Sequence, residues 1–135
     1  DWWFYVFDGD PIDGSLWFDL PNIGISTDEV YITGNLYNAD NNFVQSLIYQ
    51  VEKEDGFTGG NISGMYWSEV TDDNGQIDFN VIPISYGFNS TLAPGIYFLS
   101  SDSGGSEEVM VYYTTGTIND DPSLETKILD MTSEA

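Results

Sequence analysis

Residues 30–51, VYITGNLYNADNNFVQSLIYQV, decide the fold class of this chain. Two sets of side chains alternate along the first half of this stretch: Val30, Ile32 and Leu36 against Tyr31, Thr33 and Asn35. A period of two with one polar face predicts a half-buried antiparallel strand. Asp40-Asn41-Asn42 supplies turn residues between Tyr37 and Phe43, so we predict two strands joined by a tight turn.

The rest of the chain repeats this pattern of short β-rich runs separated by Gly, Asn, Asp and Pro. Ile77, Phe79 and Val81 oppose Gln76, Asp78 and Asn80, and the preceding Asn74-Gly75 is typical of a type I′ hairpin turn. No stretch keeps apolar residues at helical spacing for three turns. We therefore predict an all-β, antiparallel β-sandwich of about eight strands. The predicted strands are Trp2–Phe7, Leu16–Leu20, Glu29–Tyr37, Phe43–Glu52, Met65–Val70, Gln76–Ile82, Gly95–Ser101 and Glu108–Thr115.

A family resemblance rests on Leu92-Ala-Pro-Gly-Ile-Tyr97. Its leucine, Pro-Gly turn and strand-opening tyrosine look like the tyrosine corner of Greek-key sandwiches. With residues 30–51, 71–82 (TDDNGQIDFNVI) and 109–115 (VMVYYTT), it resembles the immunoglobulin-like or transthyretin-like repeats of bacterial and archaeal surface proteins. The resemblance implies an immunoglobulin-like Greek-key sandwich with a structural role in spacing, adhesion or assembly.

The length of 135 residues fits a single domain. We expect an N-terminal aromatic strand and acidic loop over residues 1–27, a sandwich core over 28–115 and an acidic tail over 116–135. The first part is a candidate inter-subunit segment. Apolar residues in the tail are spaced for a short amphipathic helix or for one more strand, and fraying is an equal alternative. They are Leu124, Ile128, Leu129 and Met131.

The charge of the chain is strongly one-sided. Lys53 and Lys127 are the only basic residues against 23 Asp and Glu, which gives a formal net charge of −21. This field repels phosphate backbones and anionic lipid head groups, and the sequence has no basic patch to release counterions. Nucleic acid and membrane-surface partners are therefore excluded. Hydrophobic residues still make up 41%, enough apolar surface to predict a folded protein rather than a disordered acidic tail.

Several features favour an extracellular or cell-surface location. Lys and Arg are very scarce, the loops are rich in Asn, Ser, Thr and Gly, and two glycosylation sequons are present at Asn61 and Asn89. The chain opens with Asp1-Trp2-Trp3 rather than with a Met and a basic region, so we expect a secreted chain whose leader has been removed.

The sequence lacks the reagents of most enzyme mechanisms. It contains no His, no Cys and no Arg, which removes serine and cysteine nucleophiles activated by His, zinc sites and arginine clamps. Carboxylate chemistry of the glycosidase kind remains, but none of the 23 acidic residues is singled out. We predict that the protein is not an enzyme.

Calcium is the expected inorganic partner, because hard cations bind several oxygen ligands at once. The loop Asp8-Gly-Asp-Pro-Ile-Asp-Gly14 carries three carboxylates, Asp8, Asp10 and Asp13, and is a candidate calcium site, although its spacing is not that of an EF-hand. The loop at Asp72-Asp73, with Asp78, is a weaker candidate. Ordinary Asp and Gly turn chemistry is the alternative to calcium binding for both loops.

The run Trp2-Trp3-Phe4-Tyr5-Val6-Phe7 contains no charge, and every side chain in it is large and apolar or aromatic. A strand with one solvent face would not be apolar on both sides, so both faces of this run must be buried against something. Either both faces are buried within the domain, or one face packs against another chain as in the strand addition of surface filaments. The leading hypothesis is a non-catalytic structural subunit of an extracellular filament, sheath or surface layer. Its copies would form a homopolymer, joined by strand exchange or packing of residues Trp2, Trp3, Phe4, Tyr5, Val6 and Phe7.

Exposed aromatic rings provide an alternative function. Trp17, Tyr66 and Trp67 would stack on sugar rings in a carbohydrate-binding or adhesive module that also holds a structural calcium. Core packing is the more common use of such residues. On the strand that holds Tyr66 and Trp67 the two side chains alternate, so one of them should face outward.

Overall fold

The computed structural model describes residues 2–84, 92–101 and 108–130. These residues form eight strands in two antiparallel four-stranded sheets, with one six-residue helix. The fold is therefore the predicted all-β sandwich. The first sheet contains β1 (Trp17–Ile25), β2 (Glu29–Tyr37), β3 (Phe43–Glu52) and β4 (Gly64–Trp67). The second sheet contains β5 (Ile82–Pro83), β6 (Tyr97–Ser101), β7 (Glu108–Thr115) and β8 (Ser123–Asp130), and helix α1 (Lys53–Thr58) follows β3.

The connectivity differs from the Greek key that the resemblance implied. Each sheet is a meander in which every strand pairs with its neighbour in sequence, in the orders β1-β2-β3-β4 and β5-β6-β7-β8. Short turns favour this arrangement. Between β2 and β3, for example, the Asn38 side chain accepts the amides of Asp40 and Asn42, and Asn41 adopts a positive φ of 62°. Residues 68–81 alone carry the chain from the first sheet to the second.

Several predictions about strands and boundaries need correction. Trp2–Phe7 is not a strand, and Gln76–Ile82 contributes only Ile82 to β5 and a single bridge between Thr71 and Ile77. The predicted core of 28–115 is too short, because β1 reaches back to Trp17 and β8 extends to Asp130. Of the alternatives for the tail, one more strand is the one that forms, over Ser123–Asp130, and Met131 lies outside the described residues. The hairpin turn after Thr71 is not of type I′, since only Gly75 of the Asn74-Gly75 pair has a positive φ.

Both faces of the first sheet are covered, which is why β3 is buried over most of its length. Between the sheets, Tyr31 and Ile48 pack with Phe98, Met110 and Tyr112. On the opposite face of the first sheet, a second cluster forms around four buried residues, and Phe7, Leu16, Phe18, Ile32 and Ile62 pack against it. Those four residues are Leu36, Leu47, Tyr49 and Val51.

The polar side of β2 faces the other sheet rather than solvent. Thr33 and Asn35 are completely buried, and so are Ser46 and Gln50 of β3. The prediction that this side would be the solvent face of a half-buried strand was therefore wrong. Residues before β1 and after β3 cover the apolar side. In the interior, Gln50 accepts the Trp67 indole N–H and Asn35 accepts the Ser46 hydroxyl, both at 3.1 Å, whereas the Thr33 hydroxyl and the Asn35 amide nitrogen have no hydrogen-bond partner among the described residues.

Gly34, in the middle of β2, lies beneath the irregularity of β1 between Asp19 and Asn22. A Cβ atom on Gly34 would collide with the Phe18 ring and lie 2.8 Å from the Asp19 carbonyl oxygen. We expect Gly34→Ala to lower the free energy of unfolding by roughly 1–3 kcal/mol, as overpacking does. Urea unfolding measures this change. Gly9→Ala is the matched control, because its Cβ would meet Phe18 at an ordinary 3.6 Å and should cost little. Equal effects of the two substitutions would contradict the prediction.

Candidate assembly surface

Residues Trp2–Phe7, here called the aromatic segment, lie across the outer face of the first sheet without joining it as a strand. Their exposure alternates. Trp2, Phe4 and Val6 are 90%, 92% and 96% exposed, whereas Tyr5 and Phe7 are partly buried and Trp3 is half-exposed. An extended chain resting on a surface gives this alternation, because successive side chains point to opposite sides. The segment therefore has an inward row and an outward row.

The inward row attaches the segment to its own subunit. The Trp3 ring lies directly over Gly59, whose φ of 75° and lack of a side chain leave room for the indole. The Tyr5 hydroxyl donates to the Asp55 carbonyl oxygen at 3.2 Å. Phe7 packs on Tyr49 with the ring centroids 5.7 Å apart. These contacts hold the segment in one place with its outward row in solvent.

An apolar groove of about 430 Å³ remains beside the aromatic segment. It is lined by Trp3, Tyr5 and Phe7 on one side and by apolar residues of the first sheet and of the region around α1 on the other. Those residues include Ile25, Val30, Ile32, Val51, Phe57 and Ile62. Phe57 is 80% exposed, so the apolar surface continues past the edge of the segment.

The acidic loop after the segment uses its carboxylates for its own turns. Asp8 accepts the Asp10 amide at 3.0 Å, Asp13 accepts the Ser15 amide at 2.8 Å, and Asp10 accepts the amides of Ile12 and Leu16 at 3.0 and 2.8 Å. Burial raises the pKa of the Asp10 carboxyl, but hydrogen bonds from backbone amides, that of Leu16 first among them, lower it by more, so that the net pKa lies below its ordinary value. The loop is thus held by an ionised Asp10.

The calcium predictions gain no support from this geometry. Among the residues that the structure describes, no three acidic side chains come close enough to hold one metal ion. In the second acidic loop, Asp72 accepts the amides of Asn74 and Gln76 at 2.9 and 2.8 Å, as in an ordinary Asp turn. Calcium binding at Asp8, Asp10 and Asp13 stays a prediction.

The candidate sugar-stacking residues do not form one platform. Trp17 belongs to β1, at one edge of the first sheet, and stacks on Tyr37 with centroids 4.9 Å apart. Tyr66 and Trp67 belong to β4, at the opposite edge. Tyr66 is 41% exposed, as expected for one ring of the pair, and Trp67 packs toward the core between the sheets. The rings are therefore separated by two strands.

The two sequons and the proposed tyrosine corner are the remaining sequence motifs. Asn61 of the first sequon is exposed on the loop between α1 and β4, whereas Asn89 lies outside the described residues. Tyr97, the tyrosine of the proposed corner, is 50% exposed and packs on Tyr113 with centroids 5.7 Å apart.

Sequence reasoning missed two buried carboxylates between the sheets. Glu29, 1% exposed, accepts hydrogen bonds from the Tyr31 hydroxyl and the Gln50 amide, both at 2.7 Å, and from the Ile118 amide at 2.6 Å. Asp78 is 7% exposed and accepts the hydroxyls of Ser100 and Tyr112 at 2.8 and 2.6 Å. Every polar neighbour is a donor to the carboxylate, so both groups stabilise the interior rather than present a reactive pair.

Sequence reasoning also missed an exposed apolar surface on the second sheet, here called the open face. Alternation along β5, β6, β7 and β8 turns one side chain in two away from the core. The apolar residues on this side are Ile82, Ile84, Tyr97, Leu99, Tyr113 and Leu129, together with Val111, which is itself buried. Tyr97, Leu129 and Leu99 are 50%, 41% and 37% exposed. Lys127 and Glu125 are the charged side chains on the β8 part of this face.

Comparison with known proteins does not assign the chain to a family. No protein-family model matches it, and neither a curated protein nor a solved structure is significantly similar. Among the residues that the structure describes, no helix has the length and apolar composition needed to cross a bilayer.

Proposed function

We propose that this protein is a non-catalytic structural subunit of an extracellular assembly, such as a filament, sheath or surface layer, whose copies are joined through the aromatic segment. One observation carries the proposal: Trp2, Phe4 and Val6 are at least 90% exposed, although their neighbours Tyr5 and Phe7 are packed on the subunit. Large adjacent apolar side chains in that position mark an interaction surface.

Burial of the outward row would be a main source of the energy that joins copies. Each of the three side chains contributes about 1.5–3 kcal/mol when it is fully removed from water. The inward row already holds the segment in place, so little conformational entropy is lost on binding. This arrangement favours packing of the segment in its present position over its release and exchange into a neighbouring copy.

The net charge sets the conditions for assembly. A charge of −21 on each copy opposes association at low ionic strength. Salt screens this repulsion over distances of about 10 Å at 0.1 M, and calcium would join carboxylates of neighbouring copies. Assembly should therefore be promoted by salt or by calcium.

The absence of catalysis and the extracellular location rest on the sequence. The chain has no His, Cys or Arg, and the two buried carboxylates are fully engaged by hydrogen-bond donors. Scarcity of basic residues and the exposed sequon Asn61 support a secreted or surface-displayed protein.

The test is a triple variant, Trp2→Ser with Phe4→Ser and Val6→Ser. We expect the unmodified chain to form polymers that sediment and are visible by negative-stain microscopy in moderate salt, and the variant to stay monomeric with an unchanged unfolding temperature. The reason is that the three side chains contribute contact area between copies but almost none within the subunit.

The matched control is Ile12→Ser, which removes a side chain that is 42% exposed outside the aromatic segment. It should assemble normally. A triple variant that polymerises like the unmodified chain, or an unmodified chain that stays monomeric with and without calcium at every ionic strength, would show that the proposal is wrong.

A further inference from the structure

We propose that the open face of the second sheet is the surface that receives the outward row of the aromatic segment from the next copy. This inference rests on the proposed function and names its partner surface. The occupant is a second copy of this chain.

Position in the fold is the first argument. The aromatic segment covers the outer face of the first sheet, and the open face is the outer face of the second sheet. The two surfaces therefore lie on opposite sides of the sandwich. A contact between two different surfaces repeats from copy to copy, which produces an open polymer, or a ring where the rotation between copies closes, rather than a two-fold dimer.

The chemistry of the two surfaces matches. The outward row presents Trp2, Phe4 and Val6 without a charge, and the open face presents Tyr97, Leu99 and Tyr113 on adjacent strands. The two aromatic side chains of the outward row, Trp2 and Phe4, bury about 150–250 Å² each. With Val6 and a similar area on the receiving face, the interface would bury on the order of 1,000 Å² in total. That area reaches the lower limit for a specific interface.

Charge complementarity favours the same pairing. Of the two basic residues, Lys53 is partly buried and donates to the Ser26 carbonyl oxygen at 2.7 Å, whereas Lys127 is exposed on the open face. The aromatic segment is flanked by exposed carboxylates, Asp8 at its end and Glu54 in α1. The exposed carboxylate of Glu125 lies on the same side of β8, so in a chain with a net charge of −21 this part of the open face carries no net charge and Lys127 is its one cation for an acidic neighbour.

A mixing experiment tests the inference. The face variant combines Tyr97→Thr, Leu99→Thr and Lys127→Glu, and keeps an intact aromatic segment. The segment variant is the triple serine variant described above, and keeps an intact open face. We expect each variant alone to be monomeric in analytical ultracentrifugation. An equimolar mixture should form a one-to-one dimer and nothing longer, because the intact aromatic segment of the face variant and the intact open face of the segment variant make one pair of surfaces.

The outcomes separate the two proposals. A face variant that polymerises like the unmodified chain, while the segment variant does not, overturns the open face as the receiving surface and leaves the proposed function standing. Two monomeric variants that do not form a dimer when mixed also overturn the inference. A segment variant that polymerises overturns the proposed function and the inference together.

A milder variant guards against misfolding of the face variant. Lys127→Glu alone alters an exposed side chain on the edge strand β8 and keeps the apolar residues. We expect it to raise the critical concentration for assembly roughly tenfold at low salt and progressively less as salt screens the charges. Glu54→Lys added to it should restore part of the loss. A critical concentration that Lys127→Glu leaves unchanged at low salt would overturn the inference.

Discussion

Replacement of Glu29 by alanine is expected to lower the free energy of unfolding by roughly 3–5 kcal/mol, because it removes several hydrogen bonds to one buried charged acceptor. Its carboxylate accepts hydrogen bonds from Tyr31 in β2, Gln50 in β3 and the amide of Ile118 after β7. The substitution would remove the acceptor of the buried Gln50 amide and of the partly buried Ile118 amide, leave the Tyr31 hydroxyl with Thr114 alone, and break a link between the two sheets. Chemical denaturation followed by circular dichroism measures the loss.

Two further variants isolate the cause. Glu54→Ala removes an exposed carboxylate in α1 and should change the free energy of unfolding by no more than about 0.5 kcal/mol. Glu29→Gln keeps one acceptor oxygen and should lose less than Glu29→Ala. If Glu29→Ala were as stable as Glu54→Ala, the buried network would not hold the sheets together.

Alkaline unfolding should be linked to three buried tyrosines. Burial raises the pKa of Tyr49 to about 12, and the Asp8 carboxylate adds to this effect. Burial, followed by the hydrogen bond to Asp78, raises the pKa of Tyr112 well above its usual range, and burial does the same for Tyr31. Each hydroxyl therefore keeps its proton more tightly in the folded protein than in the unfolded chain.

The sign of the pH dependence follows from these shifts. The stabilisation is complete below the unfolded-state pKa of 10.0, and it is lost as the pH rises from there through the folded-state pKa, which is about 12 for Tyr49. We expect the fold to unfold cooperatively above pH 10, with the tyrosinate absorbance of these three buried side chains appearing together with the loss of circular dichroism. Ionisation of all nine tyrosines with the fold intact would contradict this prediction.

Tyr49→Phe tests the contribution of one hydroxyl. The substitution removes one linked proton, so the decline of the unfolding free energy with pH between 10 and 12 should become shallower by up to about 1.4 kcal/mol per pH unit. Denaturant unfolding at a series of alkaline pH values measures this slope. A slope identical to that of the unmodified protein would show that Tyr49 ionises freely in the fold.

Local patterning predicted the best-defined strands well. The bounds of Glu29–Tyr37, Phe43–Glu52 and Glu108–Thr115 are confirmed, because each is a run of alternating or β-branched and aromatic residues between turn residues. Gln76–Ile82 shows the same alternation and fails as a strand. Asp78 is drawn into the interior by Ser100 and Tyr112, and Asn80 adopts a positive φ of 59°, so tertiary hydrogen bonds override the pattern.

The candidate assembly surface was predictable only in part. The six uncharged residues Trp2–Phe7 indicated a segment whose two faces both need to be buried, and its inward row does pack on the subunit. Which row faces outward depends on Gly59, Asp55 and Tyr49, which lie more than 40 residues away in the sequence. The open face was missed because strands such as Tyr97–Ser101 and Glu108–Thr115 are apolar on both sides, and composition alone does not say which side is covered.

The sequence by itself determined an all-β class, an antiparallel pairing of its central strands and a strongly negative net charge, because residue alternation, turn chemistry and charge are local properties. Only the tertiary structure decided the meander order, the inward orientation of the polar side of β2, and the placement of Trp2, Phe4 and Val6 in solvent. Those features depend on which distant elements cover each face of a sheet, and the alternation of a strand is the same whichever of its two faces is buried.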